Sequence, residues 1–115
     1  PKAGEKVFGA FSASHLPYSL DQTQKADTPT LAQLVDKGVA LLSQEGQKKG
    51  FFMMVEGGRI DHAGHAHDIT ANIADTLAMD NAVKSALDFY HKHPKETNLL
   101  RLTQSHLRVL PIAWA

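Results

Sequence analysis

Apolar positions along the chain fall into two clear patterns. The run Phe51-Phe52-Met53-Met54-Val55 is unbroken, which predicts a short strand covered on both faces, as in a parallel-type sheet. Leu31, Leu34, Val35, Leu41 and Leu42 instead recur at helical spacing, leaving Gln33, Asp36, Lys37 and Gln44 for water. Asp27-Thr28-Pro29-Thr30 precedes that helix: Thr28 offers a capping oxygen, Pro29 sits where a missing N–H costs nothing, and Gly46 supplies a stop. A second helix is predicted from about Ile69 to His91, with Asp68 as its cap. Its apolar side is formed by Ile69, Ile73, Leu77, Val83, Leu87 and Tyr90, while Ala74, Ala78, Ala82 and Ala86 permit close approach.

Shorter apolar segments complete the alternation. Val7-Phe8-Gly9-Ala10-Phe11 predicts a buried strand, followed by a broken polar loop from Ser12 to Asp21. Pro94-Lys95-Glu96-Thr97-Asn98 closes the second helix, and Leu99-Leu100-Arg101-Leu102-Thr103 is a third strand candidate. The order strand, helix, strand, helix, strand predicts an α/β layered fold with right-handed crossovers and a largely parallel sheet flanked by helices. Residues 107–115 show no clean period, and no element is expected there.

Size and charge narrow the function classes. At 115 residues the chain has room for one core. Its 12 basic and 12 acidic residues cancel, so no strong field recruits nucleic acid or an anionic membrane. No apolar run approaches the length of about 20 residues that spans a bilayer, and the first six residues lead into nothing that reads as a secretion signal. Cysteine is absent, which removes disulfides and thiolate metal sites; any zinc must be held by nitrogen and oxygen.

Polarity changes sharply where the strand at Phe51–Val55 should end, a place where α/β sheets commonly form ligand sites. Glu56, Asp61 and His65 there supply two hard oxygen ligands and an imidazole, a mixture suited to zinc or another divalent metal. Asp61 and His65 are four apart, so one helical turn can aim both at one ion. Glu56 alone suits magnesium. Gly57 and Gly58 permit a turn immediately after Glu56. The spacing fits two readings: a metal site, or a solvated polar loop whose histidines cap helices and form hydrogen bonds.

The segment Phe51-Phe52-Met53-Met54-Val55-Glu56-Gly57-Gly58-Arg59-Ile60-Asp61-His62-Ala63-Gly64-His65 resembles the alkaline phosphatase family. The likeness extends upstream through Val7–Tyr18 and Thr28-Pro29-Thr30-Leu31, and downstream through Asp75-Thr76-Leu77-Ala78-Met79-Asp80, to about Thr103. The resemblance implies a partial alkaline-phosphatase-like α/β domain over residues 1–106 and a divergent tail over 107–115. It implies Glu56 as a magnesium ligand and Asp61 and His65 as ligands of one of two zinc ions. His62 would lie near the phosphate and tune the site through its neighbours or through water. Where the family carries threonine, alanine, aspartate and histidine after the third strand, the chain has Thr103-Gln104-Ser105-His106, so His106 keeps a ligand for the second zinc and Ser105 replaces a carboxylate.

The resemblance further implies hydrolysis of a phosphate monoester through a phosphoserine intermediate, a homodimeric parent, and a periplasmic or extracellular location. The family's nucleophile stands in an aspartate-serine context that none of Ser12, Ser14, Ser19, Ser43, Ser85 and Ser105 shares, so the chain is expected to be an inactive fragment of such an enzyme. A noncatalytic metal-binding or structural fragment and a related two-metal phosphodiesterase are the alternatives. An exposed edge at Phe51–Val55 predicts marginal folding or self-association.

Overall fold

The computed structural model describes residues 6–22, 28–46, 50–99 and 109–114. It is mixed helix and strand, dominated by helix. A short helix α1 (Ser19–Gln22) precedes α2 (Leu31–Gly46), β1 (Phe52–Glu56), α3 (Arg59–His65), the long α4 (Ile69–Lys92), β2 (Thr97–Leu99) and β3 (Val109–Trp114).

Both long helices form where their periodicity places them. α2 starts on a reciprocal cap: Thr30 Oγ1 accepts from Gln33 N at 3.2 Å, and Gln33 Oε1 accepts from Thr30 N at 2.9 Å. This is a capping box, and it moves the start two residues beyond Thr28, because Thr30 has a glutamine three positions on and Thr28 does not. α4 starts as predicted, Asp68 Oδ1 accepting from Ala71 N at 2.9 Å. Between α3 and α4 the chain turns through His67 in the left-handed region at φ 55°, with Ala66, His67 and Asp68 N–H groups donating to the carbonyls of His62, Gly64 and Ala63.

The core lies where α2, β1 and α4 meet, and consists of Val35, Val39, Val55, Met79, Ala82, Val83 and Ala86. α4 turns inward a different face from the one its large apolar residues suggest. Its buried positions are Ala71, Asp75, Met79, Ala82, Val83 and Ala86, while Ile69, Ile73 and Leu77 are 75%, 57% and 59% exposed. Small side chains let α2 and α3 approach the backbone of α4 closely, and the first three of its large apolar residues, Ile69, Ile73 and Leu77, are left on the far side while Val83 and Leu87 join the core.

The strands depart from expectation in three ways. Val7–Phe11 forms no strand, and Phe8 is almost fully exposed; no described segment pairs with it. β1 is covered on one face only: Val55 is buried and Met53 partly so, while Phe52 and Met54 face outward. A largely parallel sheet is not present among the described residues. The order is β1-β3-β2, with β3 antiparallel to both neighbours, Phe52 opposite Ala113 and Thr97 opposite Trp114. β1 and β2 therefore do run in the same direction, as a crossover through α3 and α4 requires, but β3, from the stretch where no element was expected, occupies the place between them. β2 begins two residues before the predicted third strand, and residues 100–103 of that prediction lie outside the described residues.

Candidate metal centre

Glu56 is the last residue of β1, and α3 begins three residues later, at Arg59. Gly57 makes this tight junction. A Cβ there would lie 3.1 Å from Met79 Sδ and 3.3 Å from Ile60 Cδ1, so a side chain would push β1 and α3 off the core. α3 is held in turn by α4, with Asn72 Nδ2 donating to Ile60 O at 2.8 Å. The glycine and the asparagine thus fix the turn on which the predicted ligands sit.

On α3, Asp61 and His65 stand one turn apart, and Asp61 Oδ2 lies 3.5 Å from His65 Nε2. Zinc bonds of about 2.0–2.2 Å to oxygen and nitrogen, at a tetrahedral angle, separate two ligand atoms by about 3.4 Å. The separation of the two atoms matches that span. Both groups are reachable from solvent, His65 more than Asp61. Among the described residues no three histidine or acidic side chains form a group that could hold a metal ion, so Glu56 does not join this pair.

Glu56 instead lines a small cleft of about 60 Å³ with Gly58, Arg59, Ser19 and Asp75. Asp75 is buried and accepts from Ser19 N at 3.3 Å. Its placement in a cleft with Glu56 is not evident from local pattern, yet a signal exists: Asp75 occupies the buried stripe running from Ala71 to Met79, where a carboxylate has no packing reason to be. Ser19 Oγ and Arg59 Nε are buried without a hydrogen-bond partner among the described residues.

Arg59, to which the sequence assigns no role, is at the centre of a stacked group. Its guanidinium carbon lies 3.7 Å above the centroid of the Tyr18 ring, and Nη1 is 3.0 Å from His62 Nδ1. The His62 ring is tilted against His15, with centroids 4.3 Å apart. His62 is thus turned toward the N-terminal segment, about 100° round the helix from Asp61. His106 lies outside the described residues.

A family model described as alkaline phosphatase matches residues 2–113. The chain belongs to the alkaline phosphatase family. It is 38% identical over 104 residues to a membrane-bound alkaline phosphatase of Bombyx mori, an alignment covering 90% of this chain and 18% of that protein. A repressible alkaline phosphatase of Saccharomyces cerevisiae is 34% identical over 84% of the chain and 18% of the relative. An alkaline phosphatase of Escherichia coli is 40% identical over 68% of the chain and 16% of the relative. The chain therefore spans about a sixth of the length of these alkaline phosphatases. No solved structure matches it. Among the described residues, no helix is long and apolar enough to cross a membrane.

Proposed function

We propose that this chain carries one edge of the metal centre of a phosphate-monoester hydrolase, with Asp61 and His65 as ligands of one zinc ion and Glu56 as a magnesium ligand. The observation that carries the reading is the 3.5 Å convergence of Asp61 Oδ2 and His65 Nε2 on the turn that follows β1, in a chain of this family. Bound zinc would lower the pKa of an attacking oxygen and neutralise charge on the phosphoryl group. The chain's own contribution is positional. Gly57 and Asn72 hold α3 at the strand end, which keeps the two ligands on one turn.

In this reading His106 belongs to a second zinc, Ser105 contributes no carboxylate to it, and the phosphoserine intermediate forms on a serine supplied outside these 115 residues. The isolated chain is then a metal-binding portion without turnover. Zinc titration of the purified chain tests this, with Asp61→Ala and His65→Ala beside it. Each variant is expected to lose more than about tenfold in zinc affinity, since removing a ligand costs at least as much as removing a group that merely supports one. Equal zinc binding by all three chains would overturn the ligand assignment, and hydrolysis of a phosphate monoester by the chain alone would overturn the inactivity.

A further inference from the structure

The contact between Arg59 and His62 determines which ring nitrogen carries the proton. A guanidinium has donors only, so Nη1 at 3.0 Å from Nδ1 requires the Nδ1 lone pair. The neutral ring then bears its hydrogen at Nε2. Arg59 is held in that pose from both directions: its face lies on the Tyr18 ring, and Tyr18 directly precedes the residue whose N–H is bound by buried Asp75. The His15 ring also lies against the imidazole, at 4.3 Å between centroids.

This matters because two imidazoles, His62 and His65, lie within one turn of Asp61, and a cation takes an imidazole only through a free lone pair. In His62 one nitrogen is engaged by Arg59 and the other is protonated. Releasing the Nε2 lone pair would move the proton to Nδ1, where an N–H would face the N–H of Arg59. We propose that Arg59 is a positioning residue that locks His62 in the Nε2–H tautomer and so withholds it from metal coordination, leaving an incoming divalent cation to Asp61 and His65. The withholding rests on the metal reading above, whereas the tautomer lock rests on the geometry alone.

Two-bond proton–nitrogen correlation spectra of the nitrogen-15-labelled chain at mildly alkaline pH read the tautomer directly. Wild type, Arg59→Lys and Arg59→Met would be compared, with His62→Asn to assign the signal. The Nε2–H form is expected to dominate in wild type and to be kept by lysine, which still donates. In Arg59→Met the Nδ1–H population should rise severalfold. Added zinc should move the His65 signals alone in wild type, and His62 together with His65 in Arg59→Met. An Nδ1–H ring at His62 in wild type overturns the lock, even if the methionine variant does not fold. So does the same tautomer mixture with and without the guanidinium. A locked His62 with no zinc effect at either ring sinks the metal reading and the withholding, and leaves the lock intact.

Discussion

Asp75 binds the backbone N–H of Ser19 across 56 positions of sequence, at 3.3 Å, and so fastens the N-terminal segment to the second turn of α4. The bond reaches further than it looks. Ser19 follows Tyr18, Tyr18 supports Arg59, and Arg59 contacts His62, so a buried carboxylate on the long helix is linked to a ring beside the proposed metal ligands.

Removing that carboxylate should loosen the N-terminal segment before it unfolds the core. A hydrogen bond to a charged group is worth about 1.5–3 kcal/mol, part of which is offset by relief of the carboxylate's own burial. Asp75→Ala is expected to cost about 1–2 kcal/mol in urea unfolding and Asp75→Asn less, since the amide keeps an acceptor. Hydrogen exchange at Ser19 N–H should accelerate in the alanine variant while exchange near Met79 follows only the global change.

Two glycines should respond in opposite directions to the same added methyl. A Cβ on Gly38 would lie 2.7 Å from Met53 Cε, the free end of a partly exposed flexible side chain. That end can swing away, and alanine gains about 1 kcal/mol over glycine inside a helix, so Gly38→Ala should raise the melting temperature. At Gly57 the obstacle includes Met79, 1% exposed and unable to yield, so Gly57→Ala should cost about 1–3 kcal/mol and lower it.

The two faces of α4 should differ just as sharply. Met79→Ala opens a cavity in the packed core and is expected to cost about 2–5 kcal/mol. Ile73→Ser, on a side chain 57% exposed, should change stability by no more than about 0.5 kcal/mol. Equal losses in chemical denaturation would mean that the far face of the helix is covered after all.

Lys84 and Asp88 give a small, pH-bounded contribution. Their 2.8 Å hydrogen bond raises the lysine above its usual 10.5 and holds the aspartate below its usual 3.8. The aspartate's share is present above the ordinary carboxylate pKa and disappears as pH falls through its lowered value. The lysine's share is present below the ordinary ammonium pKa and disappears as pH rises through its raised value. Lysine precedes aspartate, the weaker order for such a pair on a helix, and both groups are exposed. Lys84→Ala should therefore shift the melt slightly near neutral pH, and not at all in strong acid or in about 1 M salt.

Much of this fold was legible because it is local. Asp68 caps α4 through a residue three positions on, Glu56 closes β1, and Asp61 and His65 share a turn; each relation lies within a few residues of sequence. The buried face of α4 depends on α2 and α3: Val83 and Leu87 meet the core as their spacing predicts, whereas Ile69, Ile73 and Leu77 point away from it. Phe8 and Val7 look like core yet stay exposed and form no strand, because a strand needs a neighbour that hydrophobicity cannot supply. Thr28-Pro29 drew the start of α2 away from a better signal, the pairing of Thr30 with Gln33. Arg59 has no role that the sequence reveals, because its partner Tyr18 lies far upstream, whereas Glu56, Asp61 and His65 stand out by residue type and spacing.

The bare flank of α4 has a thermodynamic consequence. Ile69, Ile73 and Leu77, with Phe52 and Met54 on the sheet, stay hydrated in the folded chain, so unfolding wets less new apolar surface than a domain of this length usually exposes. Heat capacity of unfolding follows that newly wetted surface, commonly about 12–15 cal/mol/K per residue, so calorimetry is expected to give a value below that range. A flatter stability curve, a broader melt and a shallower denaturant transition than is usual for its size are the expected consequences.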